Sequence, residues 1–515
     1  MTAPHLTVNP FEDQTSDAED CGTRRSFAVN STLAVGRNAS LTLGTDSLIV
    51  LDEAFDGKAN CCGLWPSGSS NTRAIPFYNI LWAELVESEI RINYALLESK
   101  NVVRPAILSY AIESSGSEVE VWISKLLDRA YGESQKQKRA KVLLNPHAGK
   151  GRAVKWYHRD IQPILEAARC SIDLVQTEYQ GEAIEVAENL DINAYDMVVS
   201  CSGDGIPHEV FNGLGRRPDA KRALGKIAVV QLPCGSGNAM SCNLNGTDSP
   251  TLATLAVVKG IVTPLDLISI TQGTRRTLSF LSQSVGIVAE SDLGTDHLRW
   301  MGAARFTFGF LVRLLGKTVY PCDIAVKSVI DDKPSIKEHY RREQANYAPL
   351  SERRGNSSLF DDDVSTSSGS ELGLPSLRYG SINDKLPEGW NLTSYNNLGN
   401  FYCGNMGFMA AEANFFAPAL PNDGLMDLVN IDGNISRLSA LGLLTSVENG
   451  KFFDNPLVNY RKIEAYRIIP KNQADGYISI DGERVPFEPF QAEIHRGLGT
   501  VLSKSGHIYE APGPS

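Results

Sequence analysis

Four short apolar runs, each followed by a glycine-bearing loop and a helix-compatible segment, constrain this 515-residue chain more than anything else in it. They are Lys141-Val-Leu-Leu144, Ile172-Asp-Leu-Val175, Asp196-Met-Val-Val199 and Lys226-Ile-Ala-Val-Val230. Strands that alternate with helices pair in parallel, with the helices covering both faces. The expected unit is therefore an α/β domain built on a doubly wound, Rossmann-like parallel sheet. Ligands of such sheets bind outside the carboxyl ends of the strands. Four loops fall at that edge: Asn145-Pro-His-Ala-Gly-Lys-Gly151, Thr177-Glu-Tyr-Gln-Gly181, Ser202-Gly-Asp-Gly205 and Pro233-Cys-Gly-Ser-Gly-Asn238. Glycine concentrates where one pocket should be.

The third loop carries the candidate chemistry. Asp204 stands between two glycines at a strand exit, and Pro207 and Glu209 read as the first turn of the next helix. Glycines at 203 and 205 let a ligand approach the main chain, and a carboxylate held there can take a proton from an attacking hydroxyl. In isolation, Asp204 would be an ordinary turn residue and Glu209 an ordinary acid at a helix start. The neighbouring loops change that reading. Closely spaced glycines with Lys or Ser beside them, placed before a helix, turn backbone N–H groups and a positive dipole end toward an anion. Familiar phosphate motifs are absent. Gly316-Lys-Thr318 has Leu311 where a Walker loop needs glycine, and Gly235-Ser-Gly-Asn-Ala-Met240 lacks the third glycine of the dinucleotide fingerprint.

Asn145-Pro-x-x-Gly-Lys-Gly, Ser202-Gly-Asp-Gly-x-x-x-Glu-Val-x-Asn-Gly-Leu and Pro233-x-Gly-Ser-Gly-Asn, in this order and spacing, resemble the catalytic domain shared by diacylglycerol, ceramide and sphingosine (long-chain base) kinases. The similarity runs from about Lys141 to Leu267. It resumes at 282–309, in Gly404-Asn-Met-Gly407, in Asp423-Gly-Leu-Met-Asp-Leu428 and in Ile480-Asp-Gly-Glu483. The sphingosine kinases match best. The resemblance implies an α/β nucleotide-binding domain followed by an antiparallel β-sandwich lipid domain, with ATP and Mg2+ between them. It also implies transfer of the γ-phosphoryl group to the primary hydroxyl of a sphingoid base.

Carried over by resemblance, Asp204 is the base, and Ser202, Gly203 and Gly205 line the lipid. Contacts to ATP fall to Asn145, Pro146 and His147, to Thr177, Glu178, Tyr179, Gln180 and Gly181, and to Glu209, Ser236, Gly237 and Asn238. Arg299, Arg305, Asp481, Gly482 and Glu483 complete that set. Metal ligands are left unassigned. Ala148 and Cys234 depart from the family pattern, both by small side chains. Phosphoryl transfer is mostly positioning and charge neutralisation, which suits glycine turns, arginines, a metal ion and one base. Asp292 matches the acid that accepts the lipid's amino group. A carboxylate in an apolar pocket favours an ammonium over the amide of ceramide or over diacylglycerol, which has no nitrogen there. A ceramide or diacylglycerol kinase is the nearest rival reading. A catalytically silent lipid-binding scaffold is the more distant one, with no chemical need for Asp204, Glu209 and Glu483.

Residues 1–30 are polar and acidic, and a disordered tail is expected. Short strand-like runs over 31–135, closed by a helical Val119–Ala130 segment, resemble a pleckstrin-homology-type barrel. Cys61 and Cys62 in a loop there are candidates for S-acylation. Lys136-Gln-Lys-Arg-Ala-Lys141 reads as a solvated basic hinge into a catalytic domain over 136–270. A lipid domain follows over 271–515, with a wall or lid formed by Phe306-Thr-Phe-Gly-Phe-Leu-Val-Arg-Leu-Leu-Gly316 and a disordered insertion at about 331–391. A net charge of −11 argues against a general nucleic-acid partner. Nine scattered cysteines show no metal-ligand spacing. The N-terminus lacks a signal-peptide pattern and no run approaches the length of a membrane span. The expected location is the cytoplasm, peripherally attached to a membrane. The oligomeric state stays open, a homodimer included.

Overall fold

The computed structural model describes residues 31–36, 38–53, 72–112, 115–293, 319–345, 372–411, 413–471 and 476–514. Residues 1–30, Cys61, Cys62 and the Phe306 segment lie outside them.

The four apolar runs form strands Arg139–Leu144, Ser171–Gln176, Met197–Ser202 and Ala228–Pro233. All pair in parallel, in the spatial order second, first, third, fourth. Alternate side chains feed two cores. Val142, Leu144, Val199 and Val230 face one side with Tyr157, Ile164 and Val257, while Leu143, Val198 and Val229 face the other with Ala187, Val210 and Leu224. Burial on both faces is why these strands read as unbroken apolar runs rather than alternating ones. The strand order reverses between the first and third strands, so the crevice opens where their loops diverge.

Strand Phe490–Ser503 joins the two halves of the molecule. It pairs antiparallel with Ile261–Gln272 and Asn459–Pro470, and parallel with the catalytic sheet at Val229 and Val501. The catalytic and antiparallel regions therefore share one 15-stranded sheet. Pairing between residues so distant in the chain leaves no local signature. Strands Ser282–Gly286, Cys322–Ile330, Leu398–Gly404, Met426–Asp432 and Asn459–Pro470 enclose a further core of Val285, Ile324, Phe401, Leu428 and Tyr466.

The insertion expected to be disordered is ordered at both ends. Lys333–Ala345 is a helix that buries Ile336, His339 and Tyr340. At the other end, Arg378 and Tyr379 donate backbone N–H groups to the Glu493 carboxylate at 2.9 and 3.0 Å, and Gln491 Nε2 donates to the carbonyls of Tyr379 and Gly380. Polar side chains of the sheet thus supply the hydrogen bonds that hold this polar backbone in place. Residues 346–371 lie outside the described residues.

Strands Thr32–Val35, Ala39–Leu43, Ser47–Asp52 and Thr72–Pro76 form a four-stranded antiparallel sheet, and Ile80–Val86, Glu89–Ser99 and Val102–Ala111 a three-stranded one. The two meet at a bridge between Val35 and Ile112, and helix Gly116–Tyr131 buries Val119, Trp122 and Leu126 against them. The basic stretch after this helix is no solvated hinge. Lys138 is buried and its ammonium donates to Ser134 Oγ and to the carbonyls of Gln135 and Val258, at 2.7–2.9 Å. Three oxygens replace the lost water, which is what makes burial tolerable. Among the described residues no helix is long and apolar enough to cross a membrane.

Candidate active site

Parallel register brings the loops to one level. Cys201 lies opposite both Leu144 and Leu232, and the chain leaving each strand hydrogen-bonds to its neighbour: Asn145 N to Cys201 O at 3.2 Å, Thr177 N to Leu144 O at 2.9 Å, Cys234 N to Ser202 O at 3.0 Å. Two loops touch through glycine alone. A Cβ on Gly235 would lie 2.3 Å from the Gly203 Cα. Asn238, with φ of 52°, closes its own loop by accepting from Gly235 N at 2.8 Å and donating to Gly235 O at 3.1 Å. Asn145 Oδ1 likewise accepts from His147 N at 2.9 Å, while Ser236 stands exposed.

Asp204 is gripped rather than held free. Its Oδ1 accepts from Gln231 Nε2 at 3.1 Å and Met240 N at 3.0 Å, and its Oδ2 accepts from Ala239 N at 3.1 Å. Burial pushes its pKa up, the three hydrogen bonds pull it down and nearby Asp481 adds to the rise, leaving it above the ordinary carboxylate value. Gln231 is a functional residue that the sequence reading missed. Its Oε1 accepts from Ser241 N at 2.9 Å, which fixes the amide that orients Asp204. A lone amide within the buried run Ala-Val-Val-Gln-Leu-Pro was the available signal.

Hairpin 478–485 reaches across from the antiparallel region. Glu483 accepts from Gln180 Nε2 at 3.3 Å, and its Oε1 lies 3.2 Å from where a Cβ on Gly205 would sit, so it spans the second and third loops. Glu209 Oε1 accepts from Gly181 N at 3.1 Å, whereas its Oε2 is buried with no partner. Burial, with the Glu483 charge behind it, outweighs the backbone hydrogen bonds and raises the Glu209 pKa.

Asp481 departs from the sequence reading. Its carboxylate points inward and accepts from Ser279 Oγ, from the N–H groups of Phe280, Leu281 and Ser282, and from His208 Nδ1. No lone pair pattern is left for a nucleotide, because the turn it caps consumes them. His208 was missed as well. Thr177, buried, also turns inward, onto Leu144 O. The structure thus gathers residues 145–147, 177–181, 202–205, 209, 236–238 and 481–483 at one sheet edge. Asp292 belongs to the short helix Ile287–Leu293 after strand Ser282–Gly286, and its side chain, like Arg299 and Arg305, lies outside the described residues.

Residues 139–270 match the family model of the diacylglycerol kinase catalytic domain, and residues 31–132 match that of a domain of unknown function (DUF7493). Sphingoid long chain base kinase 4 of Schizosaccharomyces pombe is 35% identical over 454 residues, covering 86% of this chain and 90% of that protein. The chain belongs to the sphingoid long chain base kinase family. Sphingoid long chain base kinase 5 of Saccharomyces cerevisiae is 37% identical over 430 residues, 75% of this chain, and the match spans 62% of that protein's length. Sphingosine kinase 1 of Homo sapiens is 29% identical over 389 residues, 71% of this chain and 91% of that protein. A solved structure of a putative diacylglycerol kinase from Bacillus anthracis covers 72% of this chain and 98% of its own at 16% identity, with a TM-score of 0.47.

Proposed function

We propose that this chain transfers the γ-phosphoryl group of ATP to the primary hydroxyl of a sphingoid long-chain base. The observation that carries the reading is Asp204, a carboxylate oriented by three hydrogen bonds at the glycine pinch between two loops, in a chain of this family. Asp204 takes the hydroxyl proton, the alkoxide oxygen forms a bond to the γ-phosphorus, and the bond from that phosphorus to the β-phosphate oxygen breaks to leave ADP. Glycines at 203, 205, 235 and 237 keep Cβ atoms out of the path of the phosphates.

Among the described residues no three His, Cys, Asp or Glu side chains gather as a metal site. That fits Mg2+, which is usually held by substrate phosphates and one or two carboxylates. Glu209, with its buried unpartnered Oε2, and Glu483 beside it are the carboxylates suited to it. When bound, the ion neutralises charge developing on the phosphates.

Asp292 is assigned to the ammonium of the base, with Arg299 and Arg305 assigned to the phosphates. Residues 31–135 are read as a pleckstrin-homology-like module, a reading supported by seven antiparallel strands closed by one helix. The location proposed is cytoplasmic, at a membrane surface from which the lipid is drawn. The test is transfer of labelled phosphate from Mg-ATP to sphinganine, ceramide and diacylglycerol in mixed micelles, with Asp204→Asn and Asp292→Asn alongside. Sphinganine should be the acceptor, Asp204→Asn severely slowed, and Asp292→Asn impaired toward sphinganine more than toward ATP. Preference for ceramide or diacylglycerol would overturn the role of Asp292. Absence of any lipid product where ATP binds would overturn the kinase reading.

A further inference from the structure

His208 sits one turn beyond Asp204 on helix Gly205–Arg216, and its ring meets the antiparallel region rather than the nucleotide loops. Nδ1 donates to Asp481 Oδ2 at 2.8 Å, with the two side chains 13% and 0% exposed. The other donors to Asp481 are Ser279 Oγ at 2.6 Å and the N–H groups of Phe280, Leu281 and Ser282 at 2.9–3.0 Å. These define the corner from which strand Ser282–Gly286 departs toward Asp292. Those four lie within residues 279–282, so the imidazole is the donor that joins this buried carboxylate to the helix of Asp204. One turn further along the same helix face, Asn212 Nδ2 donates to Leu278 O and Asn212 Oδ1 accepts from Leu278 N, both at 2.9 Å. The helix that begins at the reacting carboxylate is thereby stitched to the strand corner that leads to the lipid-selecting segment. Asp481 itself, with φ of 52°, is followed immediately by Gly482 and Glu483, the residue that reaches the second and third loops.

We infer that His208 is a positioning residue of this site: through Asp481 it fixes the Glu483 hairpin and the Ser282 corner against the helix of Asp204, and so sets how the two regions close on a nucleotide. The inference rests on the nucleotide-site reading above. It requires His208 Nδ1 to donate to Asp481.

Two substitutions separate positioning from bulk support. His208→Asn keeps a donor near Nδ1, and His208→Leu removes the donor while filling space. ADP affinity is measured calorimetrically without lipid, beside KM for ATP and for sphinganine and the thermal unfolding midpoint. His208→Leu should weaken ADP binding about tenfold, within the usual range of coupling between regions, and raise KM for ATP but not for sphinganine. His208→Asn should restore most of that affinity. Wild-type ADP affinity in His208→Leu would overturn the inference. So would equal losses in both variants, with both KM values and the unfolding midpoint moving together, because that is the signature of bulk support. Since ADP binding is read without lipid, a wild type that phosphorylates no sphingoid base would overturn the substrate reading alone.

Discussion

Asp204 accepts hydrogen bonds on both oxygens before any substrate arrives, so its direction and its basicity are set by the same three donors. Asp204→Asn should therefore lower kcat by about 10²–10⁴-fold while leaving ADP affinity near wild type. The base works ionised and its pKa is raised, so kcat/KM should fall on acidification at a higher pH than an ordinary aspartate would give. Replacing Gln231 by leucine removes one of the bonds that lower that pKa, and the acid limb should move further up. A pH profile of kcat/KM for the two proteins checks the order. Asp204 was legible because glycines on both sides of an acid at a strand end have a recognisable pattern. Gln231 and His208 were not, because each acts through a partner far away in sequence and only packing shows which.

Elements divide the same way. The parallel strands were readable because both their faces are buried, which writes an apolar run into the sequence. Helix Lys333–Ala345 was hidden because Ile336, His339 and Tyr340 are all that it buries, a stripe too thin to offset its charged remainder. His339 there donates to Asp423 Oδ2 at 3.1 Å, and Lys462, wholly buried, donates to Asp423 and Asp427 at 2.9 and 3.0 Å. Lys462→Met leaves two buried carboxylates without their cation, and a loss of about 3–5 kcal/mol is expected in thermal or denaturant unfolding. Gly235→Ala tests the loops instead. Its Cβ would drive the third and fourth loops apart, so KM for ATP should rise steeply with little change in the unfolding midpoint.

At the scale of the whole molecule, residues 31–132 are not an appendage. Leu33, Trp122 and Tyr131 belong to one core with Tyr157, Ile164 and Val230 of the catalytic sheet. Lys259 enters that junction from the catalytic side, donating to the carbonyls of Ile80 and Ala130, with its ammonium 3.7 Å from the centre of the Tyr131 ring. Burial, with Lys138 adding repulsion, lowers its pKa to about 7, and burial lowers that of Lys138 to about 8. Between about 7 and the ordinary lysine value of 10.5 the unfolded chain holds more protons than the folded one. Stability of the junction must then rise with pH across that window. Proteolytic release of residues 31–132 should slow from pH 7 to 9, and a flat or accelerating profile would refute the burial of these charges. The basic stretch gave no hint of this, since a lysine's sequence neighbours do not reveal which distant carbonyls will receive it.

The strand Phe490–Ser503, which supplies the neighbour for Ala228–Pro233, also imposes an order of events on biosynthesis. During translation the four parallel strands leave the ribosome long before their last neighbour exists. Until it arrives, the nascent sheet carries an open hydrogen-bonding edge. A message truncated upstream of residue 490 would yield a sticky, unfinished sheet that still contains every loop of the glycine-rich crevice. Full-length synthesis thus acts as the checkpoint for solubility as much as for catalysis.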